Sequence, residues 1–196
     1  MKIDMHCHVK EGSPDSKVSL DEYITILKAN GFEGMLITDH DTYKGYRYWK
    51  NKMKGKSHED FVVLKGIEYD TCDAGHIIVI MPEGVKMRLL ELKGLPVSVL
   101  IDFVHRHGGV LGPAHPCGEK YMSIANTKKF YQSPEIMKRF DFIEAYNCCE
   151  SVVSNTGAAS LAAKYKKVTT GGSDSHKTGC VGRAYTILPE PVTCET

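Results

Sequence analysis

Histidines and carboxylates recur in this chain just after short apolar runs, and their types suit metal-assisted hydrolysis. His6 and His8 follow the run at 2–5, Asp39-His40-Asp41 follows 34–38, and Glu68 follows 61–67. His115 follows 110–113, and Glu144 and Asn147 sit at the end of 142–146. Asp174 and His176 follow 168–170, within Gly171-Gly172-Ser173-Asp174-Ser175-His176. On a strand, residues i and i+2 share a face, so His6 and His8 can reach one metal while Cys7 points away. His105 and His107 have the same spacing but lie in a predicted helix, where i and i+2 diverge. They read as helix-end residues favoured by the dipole. His58, in the polar loop Lys56-Ser57-His58-Glu59-Asp60, reads as a hydrogen-bonded structural residue.

Positioning these groups requires strands that end on a common side. The runs at 2–5, 34–38, 61–67, 76–81, 110–113, 142–146, 168–170 and 184–188 read as strands. Helical patterns cover 20–30, 43–52, 97–107, 133–140 and 152–165. Ser19 is a suitable N-cap for the first helix, and Asn30-Gly31 is its stop signal. The β-α-β-α order predicts an α/β domain with a mainly parallel sheet. A closed barrel and an open doubly wound sheet both fit. No Gly-x-Gly-x-x-Gly or phosphate-loop motif is present, which weighs against the nucleotide-binding open sheets. In a parallel barrel all the C-terminal strand ends open on one face, where active sites are built.

Composition bounds the partners. Among 196 residues, Lys+Arg (25) and Asp+Glu (24) nearly cancel, giving a net charge of +1. Bulk charge therefore points to neither nucleic acid nor membrane, and no strong nucleic-acid signal is read from the chain. A local basic pocket stays compatible with these totals. No apolar stretch is long enough to span a bilayer, and Met1-Lys2-Ile3-Asp4-Met5-His6 reads as a strand with a polar end rather than a secretory leader. The seven cysteines, at 7, 72, 117, 148, 149, 180 and 194, form no Cys-x-x-Cys pair. Reduced thiols in a cytoplasmic protein are expected.

The ordered segments resemble the PHP family, named for polymerase and histidinol phosphatase. Those that carry the likeness are Asp4-Met5-His6-Cys7-His8, Ser13-Pro14-Asp15-Ser16, Ile37-Thr38-Asp39-His40-Asp41 and Gly66-Ile67-Glu68. His76, Ala114-His115-Pro116, Ile143-Glu144-Ala145-Tyr146-Asn147 and Gly172-Ser173-Asp174-Ser175-His176 complete the order over nearly the whole chain. The resemblance implies a single domain over 1–196, a distorted (β/α)7 TIM-like barrel with its metal site at the C-terminal strand ends. It implies two to three divalent ions, Zn, Mn or Fe, held by His6, His8, Asp15, His40, Glu68, His76, His115, Asp174 and His176. One ion would take His6, His8, Glu68 and Asp174, a second Glu68, His76 and His115, and a third Asp15, His40 and His176. Asp21 and Glu11 compete with Asp15.

The expected function is that of a metal-dependent phosphoesterase acting on small monoesters or nucleotides, with a metal-bridging hydroxide as nucleophile. Glu68, Asp174 and His176 are the expected catalytic residues. Arg183, Asp41 and Lys44 are the expected substrate contacts, with Lys120 and Lys177 as further loop cations. Asp39 or Asp41 would orient His40. Metal-assisted hydrolysis of an amide or other non-phosphate bond, and a non-catalytic metal-binding module, are the alternatives. Cys117 lacks a phosphatase loop, so a cysteine nucleophile is not expected.

Overall fold

A computed structural model describes residues 1–82, 84–85, 88–119 and 122–192. Lys120 lies outside them. The first strand, β1 (Lys2–Cys7), is buried from Ile3 onward. α1 (Leu20–Ala29) follows, its N-terminus capped by Ser19, whose side chain accepts from the Glu22 amide. Leu20, Tyr23, Ile24 and Leu27 form its buried stripe at helical spacing. β2 (Gly34–Ile37) runs parallel to β1. α2 (Lys44–Tyr48) continues into a π-helical turn, Trp49–Met53, and leads to β3 (Val62–Thr71).

β4 (Gly75–Ile80), α3 (Val97–Arg106) and β5 (Val110–Pro113) come next, and then a short α4 (Lys128–Gln132). β6 (Phe142–Asn147), α5 (Val152–Tyr165), β7 (Val168–Gly172) and β8 (Thr186–Ile187) complete the order. The helix expected at 133–140 is instead a 3-10 turn, Pro134–Arg139, entered from Ser133 after α4 has ended.

The mainly parallel sheet is corrected in part. β1, β2 and β3 are parallel, as are β6 and β7, but β3-β4, β4-β5 and β1-β8 are antiparallel. The physical reason is connection length. Only Cys72-Asp73-Ala74 separates β3 from β4, too few residues for a parallel crossover. β3 also continues past Glu68 to Thr71, so Glu68 lies within the strand rather than at its end.

The distorted (β/α)7 barrel is met only in part, as a curled half-barrel. The strands form a curled six-stranded sheet, ordered β5-β4-β3-β2-β1-β8, and a separate β6-β7 pair. The pair sits across the opening. At one seam the Asp141 amide donates to the Leu111 carbonyl at 2.9 Å, and at the other the Asp174 amide donates to the His6 carbonyl at 2.8 Å. Gly172 makes the second seam possible, because a Cβ there would lie 2.3 Å from the His6 Cβ. Buried Asp4 adds a polar clamp, accepting from the Ser173 amide at 2.9 Å and the Ser173 hydroxyl at 2.6 Å. Ile3, Met5, Leu36, Ile78, Ala114 and Phe142 fill the interior beneath the site.

Candidate metal centre

Glu68 is the hub. Its buried carboxylate presents Oε2 to His40 Nδ1 at 3.1 Å, His8 Nε2 at 3.2 Å and His6 Nε2 at 3.3 Å. Oε1 lies 3.1 Å from both His76 Nδ1 and His115 Nε2. Asp174 Oδ1 closes one side, 3.3 Å from His8 Nε2 and 3.5 Å from His6 Nε2. Asp15 Oδ2 reaches in from the rim, 3.3 Å from His176 Nε2 and 3.5 Å from His40 Nε2.

Three imidazoles are anchored at one nitrogen and face the centre with the other. His6 Nδ1 meets Glu144 Oε1 at 2.9 Å, while His8 Nδ1 meets Ser13 Oγ at 3.2 Å. Ser13 in turn donates to Asp39 Oδ1 at 3.0 Å. His115 Nδ1 meets Ser123 Oγ at 3.2 Å. An outer hydrogen bond that fixes the ring and frees the inner nitrogen is the usual posture of a metal-ligating histidine. Backbone strain gathers here as well. Asp41, His115 and Asp174 adopt φ of 50°, 29° and 49°, a region that few non-glycine residues enter.

The donor set fits divalent cations. Glu68 Oε2 is buried without a hydrogen-bond partner among the described residues although three imidazole nitrogens approach it. Such an oxygen is costly unless a cation satisfies it. The donor atoms near enough to share an ion are those of His6-His8-Glu68-Asp174, His40-Glu68-His76 and His8-His40-His176. The first group matches the implied one. In the second His40 stands where His115 was expected, and in the third His8 stands for Asp15.

The electrostatics follow from crowding. For His6, burial opposes charge, but Asp174, Glu144 and Glu68 outweigh it and hold the imidazole well above its ordinary pKa. For His8, burial likewise opposes charge, but Asp174 and Glu68 hold it at about 9. Burial, with the charge on His8, drives His40 down to about 4 despite Glu68, and it lowers His176 too. Burial would raise Glu68 and Asp174, yet the surrounding imidazoles hold both below the usual carboxylate range. A divalent cation entering this cluster would therefore displace protons from His6 and His8.

The expected substrate contacts fare differently from the expected ligands. The cavity at the cluster, about 460 Å³, is lined by Asp15, His40, Glu68, His76, His115, Asp174 and His176 together with Cys149, Lys177 and Cys180. Asp41, Lys44 and Arg183 are not among its lining residues. Asp41 instead accepts from the Asp70 amide at 2.9 Å, and Lys44 and Arg183 are exposed elsewhere. Asp39 is buried under the site and supports His8 through Ser13 rather than orienting the His40 ring. Glu11 accepts from the Leu20 amide and Asp21 pairs with His58, so neither stands where Asp15 does. His105 binds Asp141 and His107 binds the Phe103 carbonyl, away from the cluster.

Glu144 was legible as a strand-end acid but had no assigned role. Its second oxygen accepts from the His115 amide at 2.6 Å and from Asn147 Nδ2 at 3.1 Å, and Asn147 also donates to Asp174 Oδ2 at 3.1 Å. Only the pairing of β6 beside β5 and β7 reveals this bracket. Glu144→Ala is expected to lower metal affinity by about 10- to 100-fold. Competition titration with a chromophoric chelator measures it, and wild-type affinity in the variant would refute an orienting role for Glu144.

A curled α/β sheet gathers histidines and carboxylates around one central glutamate, a donor set suited to divalent metal ions. The PHP-associated family profile matches residues 153–196. This match and the fold are consistent with a PHP-domain protein. No curated protein sequence matches it significantly. A protein assigned as a metal-dependent phosphoesterase from Bifidobacterium adolescentis superposes with a TM-score of 0.68 at 16% identity, over 90% of this chain and 88% of that one. An amidohydrolase from Chromobacterium violaceum, with bound sulfate and no metal, gives 0.71 at 14% identity, over 95% and 92%. Endonuclease Q, in complex with a 27-mer duplex carrying an abasic lesion at its active site, gives 0.60 at 16% identity over 90% of this chain. This chain spans 49% of that protein.

The endonuclease corrects the expectation of no strong nucleic-acid signal, since the same fold serves a nucleic-acid substrate there. A near-zero total charge misled that expectation, because local clustering rather than net charge governs contact with phosphates. No described helix is long and apolar enough to cross a membrane. The described cysteines are free thiols.

Proposed function

We propose that this protein is a metal-dependent phosphoesterase. The observation that carries the reading is the single buried carboxylate of Glu68, which faces three imidazoles with one oxygen and two with the other. His6, His8, Glu68 and Asp174 would hold one ion of the Zn, Mn or Fe type, and His40, His76, His115, His176 and Asp15 would complete the remaining sites. Ions held there supply positive charge for phosphoryl oxygens and acidify water.

The chain's own groups do the positioning. Glu68 fixes the separation of the two halves of the cluster. Asn147 and Glu144 hold Asp174, His6 and the His115 backbone in register. His176, part-exposed beside Asp15 and lowered in pKa mainly by burial, bonds the Asp174 carbonyl through Nδ1 and would offer Nε2 to an ion at the mouth. Lys177 brings a cation to the cavity wall that favours an anionic substrate. Thiol nucleophiles are disfavoured, since burial with the charge on Asp174 pushes Cys149 up to about 12 and burial also raises Cys117.

The test is a substrate panel on the metal-loaded protein: p-nitrophenyl phosphate, its bis-ester and an N-acyl amide. Hydrolysis of a phosphate ester that a chelator abolishes is the expected result. Amide hydrolysis without ester hydrolysis would transfer the reading to amidohydrolase chemistry, as in the Chromobacterium relative of the fold. No turnover of any substrate would leave a metal-binding module.

A further inference from the structure

Outside the metal centre, the most uneven feature of the chain is its charge between Asp41 and Glu59. Lys44, Arg47, Lys50, Lys52, Lys54 and Lys56 fall there without one carboxylate, in a protein whose net charge is +1. All six are exposed, while Trp49 and Met53 between them are buried in the core. The cations therefore lie on the solvent side of α2, its π-helical extension and the turn that follows.

Beside that surface lies a second cavity of about 570 Å³, over the outer face of β3. Arg47 and Lys50 line it from α2 and its extension, Lys65 from β3 and Arg88 from the 3-10 turn at Arg88–Glu91. Glu91 is the carboxylate among its described lining residues. That group is occupied by both guanidinium nitrogens of Arg47, at 2.8 and 3.0 Å, and by the Tyr43 amide at 3.0 Å. Lys65 donates to the Val85 carbonyl at 2.6 Å and stands 4.8 Å over the Tyr43 ring, which sets its ammonium in place.

The cavity is tied to the metal centre by short chain segments. Lys65 precedes Glu68 by three residues, roughly 10 Å along a strand. Asp41 donates its amide to the Glu68 carbonyl, and Thr42 and Tyr43 then lead to the cavity wall. A polyanion crossing the rim at these residues would meet the metal centre on one side and the basic cavity on the other.

We propose that this cavity, with the exposed lysines of α2 and its π-helical extension, is a docking subsite for the phosphodiester backbone of a nucleic-acid strand whose scissile phosphate lies at the metal centre. The inference rests on the phosphoesterase reading for what happens to the strand, not for its binding. Charge complementarity selects the ligand. Guanidinium and ammonium groups spaced along a concave surface suit successive phosphates. A bilayer is a poorer fit, because the large apolar side chains Trp49 and Met53 face the core rather than solvent.

Fluorescence anisotropy of a labelled short single-stranded oligonucleotide, with the whole chain in chelator, separates docking from chemistry. Between about 50 and 200 mM salt, the log-log slope of affinity is expected near −2 to −3, as for three to four neutralised phosphates. The double variant Lys50→Glu/Arg88→Glu is expected to bind at least tenfold more weakly. A control of equal charge change on α3 and α5, Arg106→Glu/Lys164→Glu, is expected to lose much less. If the double variant does not fold, Arg88→Ala serves, with a slope flatter by about 0.7.

Equal losses in the two double variants would reduce the effect to bulk charge and overturn the subsite. Binding of polyglutamate as tight as that of the oligonucleotide, or tighter binding to phosphatidylserine vesicles, would also overturn it. Absence of all phosphate-ester hydrolysis, with the oligonucleotide result as expected, would overturn the phosphoesterase reading and leave the docking subsite standing.

Discussion

Glu68→Gln is expected to reduce phosphate-ester turnover by about a thousandfold and to lower the bound metal content of the purified protein. The magnitude follows from removing a charged group that serves two halves of one centre, where loss of even a single stabilising donor costs about 10²- to 10³-fold. Glutamine keeps the volume and one carbonyl acceptor, and the backbone contacts of this position with Thr38 and Asp39 are preserved. What disappears is the negative charge that faces His6, His8 and His40 on one oxygen and His76 and His115 on the other. Breaking such a buried pairing in the metal-free protein also costs about 3–5 kcal/mol. Elemental analysis, steady-state kinetics and thermal denaturation measure the three effects. A Glu68→Gln variant with full metal content and wild-type turnover would refute the bridging role.

Metal removal is expected to lower the melting temperature by roughly 10 °C near neutral pH and to reverse the slope of stability with pH. An ion present at a thousand times its Kd adds about 4 kcal/mol, and each kcal/mol moves a chain of this size by about 2–4 °C. The pH sign follows from the groups at the centre. His8 is held at about 9 and His6 is also raised, against an unfolded value of about 6.5. Their stabilisation is complete below that unfolded value and is lost as pH rises through about 9. Asp4 and Asp39, raised by burial to about 6, lose theirs between about pH 4 and 6, where His40, lowered to about 4, gains stability with rising pH and offsets them. Glu68 and Asp174 are depressed, so their contribution exists above about pH 4 and disappears in acid. Metal-free protein is therefore expected to be most stable between about pH 4.5 and 6.5 and to weaken towards pH 9. Divalent ions need deprotonated imidazoles, so the stability they add grows over the same range. Differential scanning fluorimetry across about pH 5–9, with and without chelator, checks this, and a gap that is constant with pH would contradict imidazole ligation.

Much of the architecture was legible along the chain because its signals are local. Ser19 and Asn30-Gly31 bound α1 through backbone capping, which needs no tertiary context. α5 falls on the expected 152–165, opened by Ser151, whose side chain accepts from the Ser154 amide. The period-two geometry of a strand distinguished His6 and His8 from the equally spaced His105 and His107, and the latter pair is engaged by Asp141 and the Phe103 carbonyl. Strand direction was not legible. A three-residue link between apolar runs forces β4 back along β3, and that reversal brings His76, at the start of its strand, to the same place as residues at the ends of others.

Residue types and their spacing set the donors available, the elements that carry them and a chemistry of imidazole and carboxylate without thiolate. These follow from residue identity and short-range periodicity. Only the tertiary structure decided that Glu68 is the hub, that Glu144 and Ser13 anchor the outer nitrogens, and that Arg183 and Lys44 stand away from the cavity. Those assignments depend on which strands lie side by side, at separations of up to 138 residues in the case of His6 and Glu144, and one-dimensional spacing carries no information about such contacts.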